Sequence, residues 1–291
     1  MEMVTYIKMI ELDFLRQLDK FRMILKKRIH SNYSGSRQSK KFGSGLVFYD
    51  YRKYDPGDDF RAIDWKIYAK TGNLFIKRFE EERNMRVHVI LDASASMDYG
   101  EKTKKFDYAS KIGLGFSYMA LKNNERFEVS TFSDELNVFR AHKGMSKLVS
   151  SLYTLGKIKL KGHSNFADSI EQYKSVIKTK SMIVIISDFL FDIEELKRVL
   201  PRFKKSEVIL VQILDKDEIQ PLLEGDVLLI DSETQAKYRT FISHRFKENY
   251  SKELMNHIHQ VKELCESLNL KFVSVSTDTP IFDAFYEILA R

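Results

Sequence analysis

Asp92, Ser94 and Ser96 stand at alternate positions immediately after the apolar run Val87–Leu91. Two other places carry similar chemistry. Ser187 and Asp188 follow a second apolar run, 182–186 (MIVII), and Ser164 sits in the polar stretch 162–165 (GHSN) at a loop-to-helix junction. Asp92, Ser94, Ser96, Ser164 and Asp188 would together give five oxygen-bearing side chains and no nitrogen or sulfur. Such a donor set suits a hard cation, Mg²⁺ before Mn²⁺ or Ca²⁺. Taken singly, Asp-x-Ser-x-Ser is equally a local cap, because Asp and Ser side chains bond nearby backbone amides. The metal reading rests on all three places meeting.

Other motifs point away from catalysis. The chain has no Gly-x-x-x-x-Gly-Lys-Ser/Thr loop, no His-Glu-x-x-His and no serine in a Gly-x-Ser-x-Gly elbow. An aspartyl phosphotransferase using Asp92 over Mg²⁺ is the nearest enzymatic alternative. Such a site commonly carries a second carboxylate two residues on, where this chain has Ser94. The chain therefore reads as a binding protein rather than an enzyme. His257 and His259 lie two apart on a helical pattern and face different directions, so they are not read as ligands. Gly113-x-Gly115 lacks a third glycine and does not directly follow a strand; it is read as close helix packing.

The elements that must position these residues alternate along the chain. Strands are expected at 87–91, 126–132, 182–187, 208–214 and 271–276, with helices over about 104–122, 145–155, from 165, over 193–203, over 243–268 and at the end. A hairpin is expected from 226–231 with 237–242. All-apolar strands between helices mean a mostly parallel, doubly wound α/β sheet covered on both faces. Its ligands gather beyond the carboxyl ends of the strands, where strand order reverses.

Before residue 85 the pattern differs. An amphipathic helix over 12–28 carries Leu15, Leu18, Phe21, Ile24 and Leu25 at helical spacing, and a Ser/Gly-rich linker follows. From Arg16 to Lys41 there are nine basic residues and one acid, so the basic character of a +7 chain belongs to this arm. It is read as a solvated amphipathic helix and flexible linker outside the α/β core, with its apolar stripe packed on the N-terminal segment; contact with nucleic acid, an anionic membrane surface or an acidic partner is the alternative. Next come a strand (46–54), a Pro56-Gly57 turn, a short helix capped by Asp58 or Asp59 and ended by Gly72, and an alternating strand (74–82). Trp65 is expected in a core and Arg61 paired with Asp64. The division expected is 1–84, arm and N-terminal segment, and 85–291, the α/β domain.

At 291 residues and 43% hydrophobic, the chain can bury a full core. A single cysteine, Cys265, forms no internal disulfide, and the start, with Glu2, Glu11 and Asp13, is not read as a signal peptide. A cytoplasmic setting is expected.

Asp-x-Ser-x-Ser after a strand, a later loop hydroxyl and an Asp after a later strand resemble the metal-ion-dependent adhesion site of von Willebrand factor A domains. The stretch 43–83 (GSGLVFYDYRKYDPGDDFRAIDWKIYAKTGNLFIKRFEEER) leading into 91–97 resembles the bacterial family called domain of unknown function 58. That resemblance spans nearly the whole chain. It implies an A-type domain that binds Mg²⁺ and a protein partner, a MoxR-type AAA+ ATPase, as an adaptor. Carried over, Ser94, Ser96 and Ser164 contact the ion while Asp92 and Asp188 orient them, and the partner supplies a carboxylate. Ser164 stands where the family usually has Thr.

Overall fold

A computed structural model describes residues 14, 16–19, 46–81, 86–139, 144–177 and 179–290, without the side chains of 46–50, 78–81 and 290. The chain divides into two compact units, 28–84 and 1–27 with 85–291.

The smaller unit is an antiparallel pair, β1 (Leu46–Lys53) and β2 (Phe75–Glu81), with an irregularity between Phe48 and Asp50. Between them run a 3-10 turn, Phe60–Ala62, capped by Asp59, and the helix Trp65–Thr71. Gly72 ends that helix in the left-handed region at φ 68°, which glycine adopts without a Cβ clash. Two expectations are corrected here. Asp64, not Asp58 or Asp59, caps the Trp65–Thr71 helix through Lys66 N, and its other oxygen meets Tyr51 Oη at 3.1 Å and Lys77 Nζ at 3.0 Å, so its ion pair is with Lys77 and not Arg61. Trp65 is 59% exposed rather than core: among the described residues this unit is a seven-residue helix and a two-stranded ribbon, with no second layer to receive it.

The larger unit is built on six strands: β3 (Arg86–Asp92), β4 (Arg126–Phe132), β5 (Leu136–Val138), β6 (Ser181–Ser187), β7 (Glu207–Leu214) and, after a separate hairpin, β10 (Lys271–Ser276). Their order is β10-β7-β6-β3-β4-β5, parallel throughout except the short edge strand β5. The chain winds outward from β3 through β4 to β5, returns to lay β6 beside β3, and winds outward again. The doubly wound α/β fold read from the sequence is the fold observed, with β3 in the interior of the sheet between β4 and β6.

Alternation explains the all-apolar strands. Val87, Val89 and Leu91 point to one face, with Val184 and Ile186, while Ile90 points to the other, with Ile183 and Ile185. Helices Lys105–Lys122, Met145–Leu155 and Ile281–Ala290 cover the first face; Phe166–Lys174, Ile193–Val199 and His244–Ser267 cover the second. Gly113 and Gly115 are packing residues, as expected: a Cβ would come within 2.8 Å of Val89 and 2.1 Å of Phe285.

The N-terminal helix departs from expectation. Leu18 is fully buried within the first-face core, Phe14 lies 5.8 Å from Phe282, and Asp19 accepts from Tyr118 Oη at 2.8 Å. This part of the arm belongs to the α/β core because the Lys105–Lys122 helix leaves an apolar flank that the sheet does not cover. Leu15, Phe21, Ile24 and Leu25 lie outside the described residues.

The hairpin, β8 (Gly225–Ile230) with β9 (Lys237–Ile242), forms a two-stranded sheet of its own. No helix among the described residues is long and apolar enough to cross a membrane.

Candidate metal centre

β3 and β6 are the neighbours at which strand order reverses, and both end in polar residues: Asp92 on β3, Ser187 and then Asp188 on β6. Asp92 is fully buried. Its Oδ1 accepts from Ser94 N at 2.9 Å, the local turn expected of Asp-x-Ser. Its Oδ2 accepts from Ser164 Oγ at 2.9 Å and from Ser187 Oγ at 2.6 Å, so one carboxylate ties three segments together. Ser94 Oγ lies 3.0 Å from Ser96 Oγ.

The loop that brings Ser164 here is held on both sides. Lys161 N donates to Ala93 O at 3.3 Å and Ala95 N donates to Gly162 O at 3.1 Å. Gly162 sits at φ 79°, and a Cβ there would meet the Asp134 carboxylate at 1.9 Å. Asp134 instead accepts from His163 N at 2.9 Å. Only glycine allows that approach.

Asp188 is brought to the same pocket but is engaged differently. Lys105, the first residue of its helix and fully buried, donates to Asp188 Oδ2 at 2.9 Å and to Glu218 Oε1 at 2.6 Å. Glu218 in turn closes a capping box with Asp215. Burial pulls the Lys105 ammonium down, and the carboxylates of Asp188 and Glu218 more than reverse it, so it is held charged. Burial raises Glu218, partly offset by Lys105. Asp92 is pushed up to about 6 by burial first and by the charge of Asp188 second; Ser187 and Ser94 oppose the rise by hydrogen bonding.

Four of the five residues singled out in the sequence are joined by hydrogen bonds, while Asp188 stands near enough for its like charge to raise Asp92 and is itself paired with Lys105. Sequence reasoning missed Lys105 and Glu218, and it named Ser187 without assigning its hydroxyl to Asp92. Lys105 lies in a run of exposed-looking lysines (102, 104, 105), and nothing in that pattern marks it as buried. Ser187 was legible as the last strand residue, since alternation aims it beside Asp92.

Among the described residues, no three His, Cys, Asp or Glu are gathered to hold a metal. An ion at this place would rest on hydroxyls as much as on carboxylates. The donor chemistry fits a hard cation: two buried carboxylates beside neutral oxygens, with Ser96 and Ser164 half-buried at the surface. The hydrogen-bond partners of Asp92 are all neutral, and a buried carboxylate with neutral partners favours a cation or a proton.

Residues 50–260 match the model of the family described as Protein of unknown function DUF58. The chain belongs to this family. The uncharacterized protein Rv1480 of Mycobacterium tuberculosis is 22% identical over 241 residues, covering 81% of this chain and 76% of that protein. Bacillus subtilis YeaD is 27% identical over 122 residues, 42% of this chain and 28% of YeaD. Among solved structures, the conserved hypothetical protein BatB from Bacteroides thetaiotaomicron aligns at a TM-score of 0.43 with 13% identity, covering 71% of this chain and 97% of BatB.

Proposed function

We propose that this DUF58 chain is a cytoplasmic protein-interaction module that binds its partner through Mg²⁺ held at Asp92, Ser94, Ser96, Ser164 and Asp188. The proposed partner is a MoxR-type AAA+ ATPase. The observation that carries the reading is Asp92: a fully buried carboxylate at the strand-order switch point whose hydrogen bonds come from Ser94 N and the hydroxyls of Ser164 and Ser187. Such a group is stabilised by a cation, and the oxygens around it are those a hard cation prefers.

A bound Mg²⁺ would supply a coordination position that an outside carboxylate can fill. The chain's own residues do the rest. Ser94, Ser96 and Ser164 present neutral oxygens, leaving most of the ion's charge for the partner's Asp or Glu. Asp92 orients Ser164 by accepting a hydrogen bond from its hydroxyl. Lys105 holds Asp188 in place and limits the negative charge of the pocket, which selects for an incoming anion.

Isothermal titration of purified MoxR-type ATPase into the chain, with Mg²⁺ and then with EDTA, tests this. The expected result is an affinity at least about tenfold weaker in EDTA, and the same loss in Asp92→Asn with its circular dichroism unchanged. Equal affinity in EDTA overturns the metal requirement, and no heat in either buffer overturns the choice of partner.

A further inference from the structure

The β8–β9 hairpin exposes apolar side chains among its charged ones. Along β8 the residues after Asp226 are Val227, Leu228, Leu229 and Ile230, and in the antiparallel register Asp226, Leu228 and Ile230 share a face with Phe241, Arg239 and Lys237. Leu228, Ile230 and Phe241 are 56%, 53% and 66% exposed. Folded proteins seldom leave such residues contiguous on the surface unless something binds them. β9 carries Lys237 and Arg239, charges that discourage strand addition at its open edge. β8 has no charge beyond Asp226, so its open edge is unguarded.

The hairpin tip reaches the candidate metal centre. Glu233 Oε2 lies 3.4 Å from His163 Nδ1. Asp231, also at the tip, is held low first by the Thr234 and Glu233 amides and more weakly by the charge of His163. His163 immediately precedes Ser164. The segment entering that loop alternates exposed lysines, Lys157, Lys159 and Lys161, with half-buried Ile158 and Leu160. The tip of the apolar hairpin therefore meets the loop that carries Lys161, His163 and Ser164.

We infer that the hairpin is the second half of the docking surface, and that it takes an extended segment of the partner protein in which acidic and apolar residues alternate. This rests on the interaction role proposed above. The partner's backbone adds to the open edge of β8, its apolar side chains meet Leu228 and Ile230, and its acids face Lys157, Lys159 and Lys161. Charge complementarity selects this occupant: the row beside the pocket is positive, so a basic segment is repelled.

Fluorescence anisotropy with short labelled peptides tests it, one alternating Glu and Leu, one Glu and Ser, one Lys and Leu. In Mg²⁺ the Glu/Leu peptide binds at least about tenfold tighter than either control. The double variant Leu228→Ser/Ile230→Ser loses that margin with an unchanged melting temperature, and Phe241→Ser on the other strand loses part of it. Equal binding of the Glu/Leu and Glu/Ser peptides, or full affinity in both variants, overturns the inference. So does a dimer in sedimentation that becomes monomeric in Leu228→Ser/Ile230→Ser, since the hairpin then serves a second copy of the chain. An EDTA arm separates the two proposals. Binding lost in EDTA but kept in the hairpin variants refutes this surface alone; binding kept in EDTA but lost in the variants refutes the ion alone.

Discussion

The two ends of β3 carry buried polar networks of opposite design. Near its start, His88 Nδ1 meets Tyr173 Oη at 2.8 Å, and that hydroxyl donates to Glu128 Oε1 at 2.7 Å. All three residues are buried, and they join β3, β4 and the Phe166–Lys174 helix. Burial and the Glu128 charge push the Tyr173 hydroxyl well above its ordinary value, so it remains a donor. At the other end, Asp92 is as deeply buried, yet its network climbs through Ser164, and through Ser94 to Ser96, into half-buried loop positions. One network runs between side chains of the sheet and a covering helix. The other opens at the switch point, where loops and not helices form the roof. Buried polarity is common to both; an outlet to solvent distinguishes the candidate site from an internal brace.

The largest expected effect comes from the ion pair that supports the open end. Lys105→Met leaves the Asp188 and Glu218 carboxylates facing each other in a buried place without their cation. The cost is expected at about 3–5 kcal/mol in urea unfolding at neutral pH. Adding Glu218→Gln to the variant removes the repulsion and restores part of the loss. A cost below about 1 kcal/mol would place Lys105 among ordinary surface pairs and remove the distinction between its two carboxylates and the rest of the rim.

Next is the pH dependence of Asp92. Its carboxyl in the folded chain sits at about 6, against an ordinary value near 4. The neutral form is the one the fold favours, so its contribution to stability is complete below about pH 4 and is lost as pH rises through 6. In EDTA that loss amounts to about 3 kcal/mol, because each pH unit between the two values is worth about 1.4 kcal/mol. Asp92→Asn lacks this step, and subtracting its unfolding profile from that of the native chain isolates it. Mg²⁺ competes with the proton and reduces the step; a step of the same size with and without Mg²⁺ would argue that Asp92 senses no ion. The closed end provides the control for the ion, because the His88 network should not respond to Mg²⁺.

Tyr173→Phe probes the closed end directly. It removes the hydroxyl between His88 and Glu128 and leaves both with a lost partner, at an expected cost of about 1–3 kcal/mol. Partner binding and its EDTA sensitivity stay unchanged, since these residues lie at the opposite end of β3 from Asp92. A loss of binding here would mean that the two ends of β3 are coupled and that the distinction drawn between them fails.

The contrast also marks what is legible in a sequence. Apolar runs such as Val87–Leu91 and the polar residues after them reveal both the sheet and its switch-point site, because a strand buried on both faces has no other composition open to it. The edge strand Leu136–Val138 is too short to show a period. Lys105 is invisible because burial of a cation depends on carboxylates 83 and 113 residues away. Leu18 illustrates a different limit: helical spacing revealed an apolar stripe but not the surface that receives it. The hairpin was legible as strands, while the exposure of Leu228 and Phe241 depends on which neighbours fold over them.

The smallest expected effect is at Ser164. Its Oγ donates to Asp92 Oδ2 at 2.9 Å and stands half-buried at the opening of the pocket. A serine hydroxyl can turn among three staggered positions, and only one of them meets Asp92; a β-branched residue is stiffer about that bond. Ser164→Thr keeps the oxygen and restricts the rotation, so it lowers the entropy lost when the hydroxyl is fixed. That entropy is bounded by three equal rotamers, at most about 0.6 kcal/mol or roughly threefold in affinity. Binding of the partner in Mg²⁺ is therefore expected to tighten by up to that factor, and binding in EDTA to stay the same. The EDTA arm matters because the added methyl also contributes apolar surface. Equal tightening in both buffers would assign the gain to that surface. A loss of affinity in Mg²⁺ alone would show that Ser164 must turn away from Asp92 to serve the ion, and that the hydrogen bond at 2.9 Å belongs to the ion-free pocket.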